Sequence, residues 1–378
     1  MLFDKRIFGL AMNKHTQQEP VQQNNKLLGL EVVRFISAFS VLFWHYQHFF
    51  YIADKPTDFI REQQPLYSLF SLFYDYGFYG VQVFWCISGF IFFWKYRETI
   101  ASNAISYKKF FVLRFSRLYP LHIFTLLLVL VLQAIYFAKK DYFFVYQNND
   151  VPHFIYQLFL ASNWGFEKGD SFNGPIWSIS VEVLIYCFFF LILQNISKSF
   201  LINIGVLLLC LAAKYFKVIS PIFDCLAFFY IGGFSAIAFK YIQSTKYYRH
   251  FSYLSLFVLI VLPPFIYITN VYQHKYFALL FLISYTPALL FFCAKHFNTS
   301  PVIQKTIEAA GNMTYSSYLI HFPLQLVIAL YFLNTEQKIP YYSTVFFVGF
   351  IFVTLVLSYY IYRLFELPAQ NFIRRKLA

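Results

Sequence analysis

Four polar side chains interrupt the apolar stretch between residues 26 and 50: Glu31, Arg34, His45 and His48. At about 100° per residue, Arg34 and His45 lie on one face of a helix, about 16 Å apart along its axis, and His48 falls on the same stripe. The stretch is long enough to span a bilayer, where an arginine must be kept away from lipid. The stripe therefore predicts a site or a pathway inside a helical bundle, with imidazoles poised for acid–base chemistry near neutral pH.

A second candidate group is basic and lies at the start of a later apolar segment. Arg114 and Arg117 are one helical turn apart, and Lys108 and Lys109 precede them. Two arginines at this spacing form a fork suited to phosphate. The alternative is an ordinary basic anchor at a cytoplasmic helix end.

A third candidate is the carboxylate of Glu182. Asn173 and Pro175 favour a helix start, and Trp177 suits a membrane interface. Glu182 then lies about 8–10 Å below that start, inside the membrane. An intramembrane carboxylate is a functional candidate, although a structural ion pair or hydrogen bond between helices would also explain it. Because Glu182 and His45 both fall in the outer half of their helices, we expect that they could meet.

Three weaker signals complete the set. His321 lies well inside an apolar segment, where a buried, satisfied histidine and a site residue are equally reasonable interpretations. Glu366 at the end of the last segment is interpreted as structural. The run from Phe84 to Phe90 contains Ser88 and Gly89, small residues that favour close helix packing.

The composition identifies the elements that must position these residues. Of 378 residues, 59% are hydrophobic and 12% are charged, about half the charged share of soluble proteins. The net charge of +13 is explained by cytoplasmic loops of a membrane protein rather than by nucleic acid. Residues 1–26 are polar, which predicts no cleavable signal peptide. The five cysteines form no CxxC pair, so no metal site is predicted.

Hydropathy predicts an all-α, polytopic integral membrane bundle of about ten transmembrane helices. The segments lie near 27–50, 75–95, 116–138, 177–194, 199–216, 221–240, 251–269, 275–295, 313–333 and 341–365. With a cytoplasmic N-terminus, about two thirds of the 30 Lys and Arg residues fall on the inner side, as the positive-inside rule requires. Both termini are then cytoplasmic. The predicted division is a polar N-terminal tail (1–26), a membrane domain (27–368) and a basic C-terminal tail (369–378).

In this order, the motifs resemble the acyltransferase type 3 family of membrane O-acyltransferases, over roughly residues 26–370. The resemblance rests on the Arg34–His45 pair, Arg114 with Arg117, and four sequence runs. Those runs are Ile87-Ser88-Gly89-Phe90, Trp177 to Glu182, Tyr315 to Pro323, and Phe365-Glu366-Leu367-Pro368. One departure is that the common Val-Glu-Glu sequence of the family reads Val181-Glu182-Val183 here, so only the first acid is present.

The resemblance implies a protein of the bacterial inner membrane that takes an acyl group, usually acetyl, from cytoplasmic acyl-CoA. The acceptor is a hydroxyl of an envelope carbohydrate or glycolipid, such as lipopolysaccharide, capsule or exopolysaccharide. It also implies essential roles for Arg34, His45, Arg114 and Arg117. The chain resembles the stand-alone members, which carry no fused hydrolase-like domain.

The residues themselves suggest the same chemistry. Arg114 and Arg117, with Lys108 and Lys109, would hold the phosphates of acetyl-CoA or another acyl-CoA, since CoA cannot cross the bilayer. His45 would act as general base, Glu182 would orient it, and Arg34 would steady the thioester or the oxyanion. An acyl-histidine intermediate remains open. Trp177, Ser180, His48 and His321 are predicted to contact substrate.

Two other functions fit parts of the pattern. A transporter or flippase for a lipid-linked sugar would also use a polar stripe and intramembrane His and Glu residues. Such a protein has no need of the arginine fork. A structural subunit of an envelope-synthesis complex would tolerate loss of His45.

Overall fold

The computed structural model describes residues 27–196, 198–218, 220–274 and 276–377. The predicted tail 1–26 lies outside them. Within the described residues the chain is helical apart from one short hairpin, β1 (Tyr51–Ile52) and β2 (Lys55–Pro56), in which Tyr51 pairs with Pro56. The α-helices are α1 Leu28–His45, α2 Tyr67–Tyr76, α3 Tyr79–Ala101, α4 Tyr107–Lys140, α5 Val151–Leu158, α6 Ile176–Leu191, α7 Phe200–Tyr215, α8 Pro221–Ile242, α9 Tyr248–Ile268, α10 Phe277–Leu280, α11 Thr286–Cys293, α12 Pro301–Asn312, α13 Thr314–Asn334, α14 Thr344–Ile361 and α15 Leu367–Leu377.

Short irregular helices extend several of these elements. Tight 3₁₀ turns follow α1 at Tyr46–Phe50 and occur at Arg61–Gln63 and Val271–Gln273. Wider π-helical turns follow α6 at Ile192–Ile196, join α10 to α11 at Phe281–Tyr285, and join α14 to α15 at Tyr362–Glu366. The backbone therefore remains hydrogen-bonded through most of each apolar segment, as a bilayer requires.

Seven helical segments in the described part of the chain are long and apolar enough to cross a membrane. They are Leu28–Phe50, Tyr107–Lys140, Ile176–Ile196, Pro221–Ile242, Tyr248–Ile268, Thr314–Asn334 and Thr344–Leu377. An eighth results if α2 and α3, which meet at 61°, form one broken span. Two of the ten predicted segments correspond to shorter apolar helices, Phe200–Tyr215 and Phe281–Cys293. The chain is an all-α polytopic membrane protein, while the total of ten and the cytoplasmic termini stay predictions.

Close packing of α3 on α8 forms the centre of the bundle. A Cβ atom added at Gly89 would overlap the backbone of Phe229, and one at Gly232 would overlap the backbone of Cys86. Glycine is therefore required at both positions for the two backbones to approach. The predicted packing role of the run around Gly89 is confirmed, as expected where small residues rather than hydrophobic burial allow helices to associate in lipid.

The helices differ in how far they are enclosed. In the most apolar part of α13, 67% of the residues are buried, compared with 11% in α9. A helix that faces lipid can expose its apolar side chains, whereas polar side chains must turn to the interior. The polar candidates accordingly lie on segments that are more buried than α9, with α4 the least enclosed of them at 39%.

The end of the chain continues as a helix. α15 packs against α4, and Arg374 donates a hydrogen bond to the Ser116 hydroxyl at 3.1 Å and another to the Leu113 carbonyl at 3.4 Å. The segment predicted as a basic tail, 369–378, is thus a structured part of the bundle up to Leu377. Its side of the membrane stays a prediction.

Candidate active site

Five helices, α1, α3, α4, α6 and α13, surround a cavity within the bundle. It contains about 860 Å³ of space not filled by protein, counting its open mouth. Three guanidinium groups and one carboxylate line it, namely those of Arg34, Arg114, Arg117 and Glu182. We call this the arginine cavity. Its walls are otherwise mostly apolar and aromatic, so the excess positive charge favours an anionic ligand with a slender apolar part.

Arg34 is held at the cavity by two neighbours. It forms an ion pair with Glu31, one turn earlier on α1, at 3.0 Å, and it donates to the Thr314 hydroxyl of α13 at 3.4 Å. Glu31 is itself packed against Gly311, where any Cβ would collide with the carboxylate. The guanidinium therefore has a fixed position, and its charge is partly offset.

Arg114 is clamped by aromatic rings. It donates to the Tyr96 hydroxyl at 2.7 Å, and its guanidinium carbon lies 5.0 Å from the centre of the Phe92 ring and 5.2 Å from that of Tyr96. These distances fit cation–π contacts. Its Nε atom is buried without a partner among the described residues.

Arg117 differs from both. Among the residues that the structure describes, its guanidinium makes no hydrogen bond and no close ion pair, although it lines the arginine cavity. It is near enough to Arg34 and Glu182 to interact electrostatically with both. A guanidinium presents a planar fork of donors that matches phosphate, so Arg117 is the group in this cavity best able to accept an external anion.

Glu182 is bonded to its own side of the bundle. Its Oε1 accepts from the Tyr186 hydroxyl at 2.7 Å, and Ser88 of α3 is a further hydrogen-bond donor to the carboxylate. These bonds, together with Arg34 and Arg117 nearby, compensate the buried charge. Glu182 therefore limits the positive charge of the arginine cavity.

Three imidazoles form a separate group, which we call the histidine cluster: His45, His48 and His321. His45 Nδ1 lies 2.9 Å from His321 Nε2, and these rings stack with centres 4.9 Å apart. His45 also stacks on His48 at 4.8 Å. His48 and His321 are buried, whereas His45 is partly exposed. The spacing of α1 thus brings His45 and His48 to one site, and α13 supplies the third ring.

Gln325 joins the histidine cluster to the end of α1. Its side-chain Nε2 donates to the His45 backbone carbonyl at 2.8 Å, and its Oε1 lies 3.0 Å from His48 Nδ1. The glutamine is fully buried and both ends of its amide are used. It therefore fixes the point at which α1 tightens into the 3₁₀ turn.

The expected contact of Glu182 with His45 is not formed in this structure. Within the described residues, the side chain that bonds to the His45 ring is His321 rather than a carboxylate. Tyr318 contacts both regions: it lines the arginine cavity, shares a hydrogen bond with Ser178 at 2.7 Å, and packs edge-on against His321 at 6.1 Å. In this geometry Glu182 does not bond to the His45 ring, and its role as the residue that orients His45 stays a prediction.

The predicted substrate residues on α6 are not at the cavity. Ser180 is fully buried and donates to the Leu160 carbonyl at 2.5 Å, so its hydroxyl is already used inside the protein. Trp177 packs edge-to-face on Trp85 at 5.7 Å and is only partly buried. The Ser180 hydroxyl is therefore engaged within the protein in this structure, and the contacts of Ser180 and Trp177 with substrate stay predictions.

The basic residues before the fork are exposed. Lys108 and Lys109 occupy the first turn of α4, which Ser106 caps by accepting from the Lys109 backbone N–H at 3.2 Å. Neither side chain is among those lining the arginine cavity. They can add positive charge to its surroundings but do not form its wall.

Sequence reasoning missed several contributors. The sequence indicates only a packing role for Ser88, but in the structure Ser88 also donates to Glu182. It indicates only a tail position for Arg374, but Arg374 is near enough to Arg114 and Arg117 to interact electrostatically.

Gln325 follows His321 by one helical turn, a spacing that does signal a shared face. Glu366 accepts from the Ser316 hydroxyl at 2.6 Å and ties the last helix to α13, which confirms its structural interpretation.

No metal centre is evident within the described residues, where no three His, Cys, Asp or Glu side chains are grouped to hold an ion.

Comparison with known proteins identifies the family of this chain. Neither the curated proteins nor the solved structures gave a match. The family model for the type 3 acyltransferases, described as an acyltransferase domain, matches residues 27–363. This match covers nearly the whole chain and includes both the arginine cavity and the histidine cluster, and the chain therefore belongs to the acyltransferase type 3 family of membrane acyltransferases.

Proposed function

We propose that this membrane acyltransferase is an O-acetyltransferase. It takes an acetyl group from cytoplasmic acetyl-CoA, or a longer group from another acyl-CoA, and transfers it to a hydroxyl of an envelope carbohydrate or glycolipid. The observation that carries the proposal is the uncommitted Arg117 guanidinium in a cavity shared with Arg34 and Arg114. A bacterial inner membrane location, with donor and acceptor on opposite sides, is part of the proposal.

The donor binds through its phosphates. CoA carries several negative charges and cannot cross a bilayer, so its nucleotide end must rest near one face. Arg117 supplies free donors, and Arg114 supplies a guanidinium already held in place by Tyr96. Lys108, Lys109 and Arg374 add positive charge around the same end of α4. The slender pantetheine arm then extends between the apolar walls of the arginine cavity.

Arg34 acts on the reacting carbonyl. It lines the same cavity as Arg114 and Arg117, and Glu31 with Thr314 fixes its direction. A preorganised donor aimed at the oxyanion of a tetrahedral intermediate is among the strongest contributions to acyl transfer. Arg34 has this role in the proposal.

His45 takes the proton of the acceptor hydroxyl. It is the partly exposed ring of the histidine cluster, and its Nε2 has no partner within the described part of the chain. In this proposal His48 supports the cluster through Gln325, and Trp177 offers an aromatic face to the sugar. Tyr318 lines the cavity and packs on His321, so in this proposal Tyr318 and its partner Ser178 must move for the thioester to reach His45.

The test uses membrane vesicles that contain the full chain. Vesicles are supplied with acetyl-CoA, release of the CoA thiol is followed, and mass spectrometry searches the glycans for an acetyl increment. We expect thiol release and the increment together in the wild type. His45→Ala should lower both by about 10²–10⁴-fold, while the matched variant His250→Ala, at an exposed histidine of α9, should leave them unchanged.

Two results would overturn the proposal. Normal acetylation by His45→Ala would remove the catalytic imidazole. Movement of a lipid-linked sugar without release of the CoA thiol would favour a transporter.

A further inference from the structure

The histidine cluster contains a chain of hydrogen bonds that ends on a backbone carbonyl. His321 Nδ1 lies 3.2 Å from the Ser317 carbonyl oxygen, one turn earlier on α13. His321 Nε2 lies 2.9 Å from His45 Nδ1. Both nitrogens of His321 therefore have a hydrogen-bond partner, and the partner of Nδ1 is a backbone carbonyl oxygen.

The carbonyl decides which nitrogens carry protons. A carbonyl oxygen only accepts, so His321 Nδ1 must carry the hydrogen that it donates to Ser317. A neutral imidazole has one N–H, so His321 Nε2 holds a lone pair and accepts. His45 Nδ1 must then be the donor in the 2.9 Å contact. It follows that the second nitrogen of His45, Nε2, is the one without a proton.

The rings are neutral at rest. Within the described residues, no carboxylate is hydrogen-bonded to His45 or His321, and His321 is fully buried. An uncompensated charge in such a place is costly, and a second charge on a stacked ring 4.9 Å away adds repulsion. The assignment of one proton per ring therefore holds for both members of the pair.

We propose that His321 is a positioning residue that holds His45 in the tautomer whose Nε2 lone pair faces the acceptor. This inference deepens the proposed function and rests on His45 being its base. His321 was expected to contact substrate. The geometry assigns it instead to His45, with the Ser317 carbonyl as the fixed end of the chain.

The proton balance follows from that tautomer. As the acceptor oxygen bonds to the acyl carbon, its proton moves to His45 Nε2. The C–S bond of the thioester breaks, and the departing CoA sulfur receives that proton back from His45 Nε2. Meanwhile His45 Nδ1 keeps its proton and donates to His321 Nε2, which stabilises the transient imidazolium. The products are an ester and free CoA thiol, with no oxidant or other reactant required.

The neighbouring pair shows that an amide oxygen can do the same work. His48 Nδ1 donates to Gln325 Oε1 at 3.0 Å, because the amide nitrogen of Gln325 is already used on the His45 carbonyl. A glutamine oxygen is thus an adequate acceptor for an imidazole N–H in this packing. This makes glutamine the conservative replacement at position 321.

Three variants of His321 separate the effect of losing its hydrogen-bond acceptor from the effect of changing its side-chain volume. In His321→Gln, the amide oxygen can occupy the place of Nε2. His321→Met has similar length but only a weak acceptor, and the amide of His321→Asn is too short to reach beyond the place of Nδ1. Purified full-length variants are assayed with acetyl-CoA and with whichever of lipopolysaccharide, capsule or exopolysaccharide the wild type acetylates, and kcat is separated from KM.

We expect His321→Met and His321→Asn to lower kcat by about 10²-fold or more, the scale of general-base catalysis, with little change in either KM. His321→Gln should keep kcat within about tenfold of the wild type. Equal losses in His321→Gln and His321→Met would overturn the proposal, as would a rise in the acceptor KM with kcat preserved. The latter would make His321 a substrate contact.

The result is distinguishable from failure of the proposed function. If His45→Ala acetylates normally, the base itself is misassigned before position 321 is considered. If His45 is required and the three variants do not separate by acceptor capacity, only the positioning role fails. Thermal unfolding and acetyl-CoA binding of each variant verify that the compared proteins are folded. If His321→Met unfolds the helix, His321→Asn remains informative because it can keep the bond to the Ser317 carbonyl.

Discussion

The arginine cavity and the histidine cluster share the helices α1 and α13, yet they treat their polar groups in opposite ways. The arginine cavity is roomy and charged, and it leaves the Arg117 guanidinium without a hydrogen bond among the described residues. In the histidine cluster, the rings are stacked and their Nδ1 atoms have partners. A large anionic ligand needs free donors and space, whereas a base needs one fixed orientation. The contrast supports binding in the first region and proton transfer in the second.

The largest expected effect tests the binding half of this comparison. Arg114→Gln combined with Arg117→Gln should weaken acetyl-CoA binding by about 100-fold or more, because hydrogen bonds to charged groups are worth about 1.5–3 kcal/mol each. Titration calorimetry of the detergent-solubilised protein measures the affinity. Arg249→Gln, at an exposed arginine on α9, is the matched control. Unchanged affinity in the double variant would reassign the fork to anchoring.

Glu182 tests whether the two regions are chemically separate. Glu182→Gln retains an acceptor for the Tyr186 hydroxyl and removes the negative charge from the arginine cavity. We expect kcat to change by less than about tenfold, well below the effect of losing a general base, and acetyl-CoA to bind no more weakly. The steady-state rate at saturating donor is the measurement. A loss as large as that of His45→Ala would show that the carboxylate does serve the imidazole.

Glu182→Leu provides the structural counterpart. It leaves the hydroxyls of Tyr186 and Ser88 without their shared acceptor. The free energy of unfolding should fall by about 1–3 kcal/mol, the usual consequence of an unsatisfied buried polar group. Thermal unfolding in detergent compares the Leu and Gln variants, and equal stability of the two would contradict the assigned hydrogen bonds.

Ser180 lies outside both regions and should affect only stability. Ser180→Ala removes the buried hydrogen bond to the Leu160 carbonyl, so the free energy of unfolding should fall by about 1 kcal/mol. Neither KM should change. An increase in the acceptor KM without loss of stability would restore Ser180 as a substrate contact.

The smallest effect is expected at the exposed lysines. Lys108→Ala with Lys109→Ala should weaken acetyl-CoA binding by less than about threefold at physiological salt. The reason is that both lysines are exposed, and dissolved salt largely screens the attraction between exposed charges more than about 8 Å apart. The difference should vanish in 1 M salt. A salt-independent loss as large as that of the arginine pair would place the lysines within the binding site.

Much of this arrangement follows from local patterns in the chain. Hydropathy located the apolar segments because a bilayer requires long helices. Helical periodicity placed Arg34, His45 and His48 on one stripe, since that relation depends only on rise and twist. Gly89 was recognised as a packing residue by its size, and the ordered motifs indicated the acyltransferase family.

Partnerships between distant segments depended on the tertiary structure. Glu182 and His45 share a depth in the membrane, but depth does not fix rotation about the helix axis. α6 turns the carboxylate toward Ser88 and the arginines, and α13 brings His321 to His45 across a sequence separation of 276 residues. Likewise, the basic end of the chain has the composition of a tail. Only its packing against α4 brings Arg374 close to Arg114 and Arg117. One sequence supplies the stripe of imidazoles, whereas the fold determines which of their nitrogens carry protons.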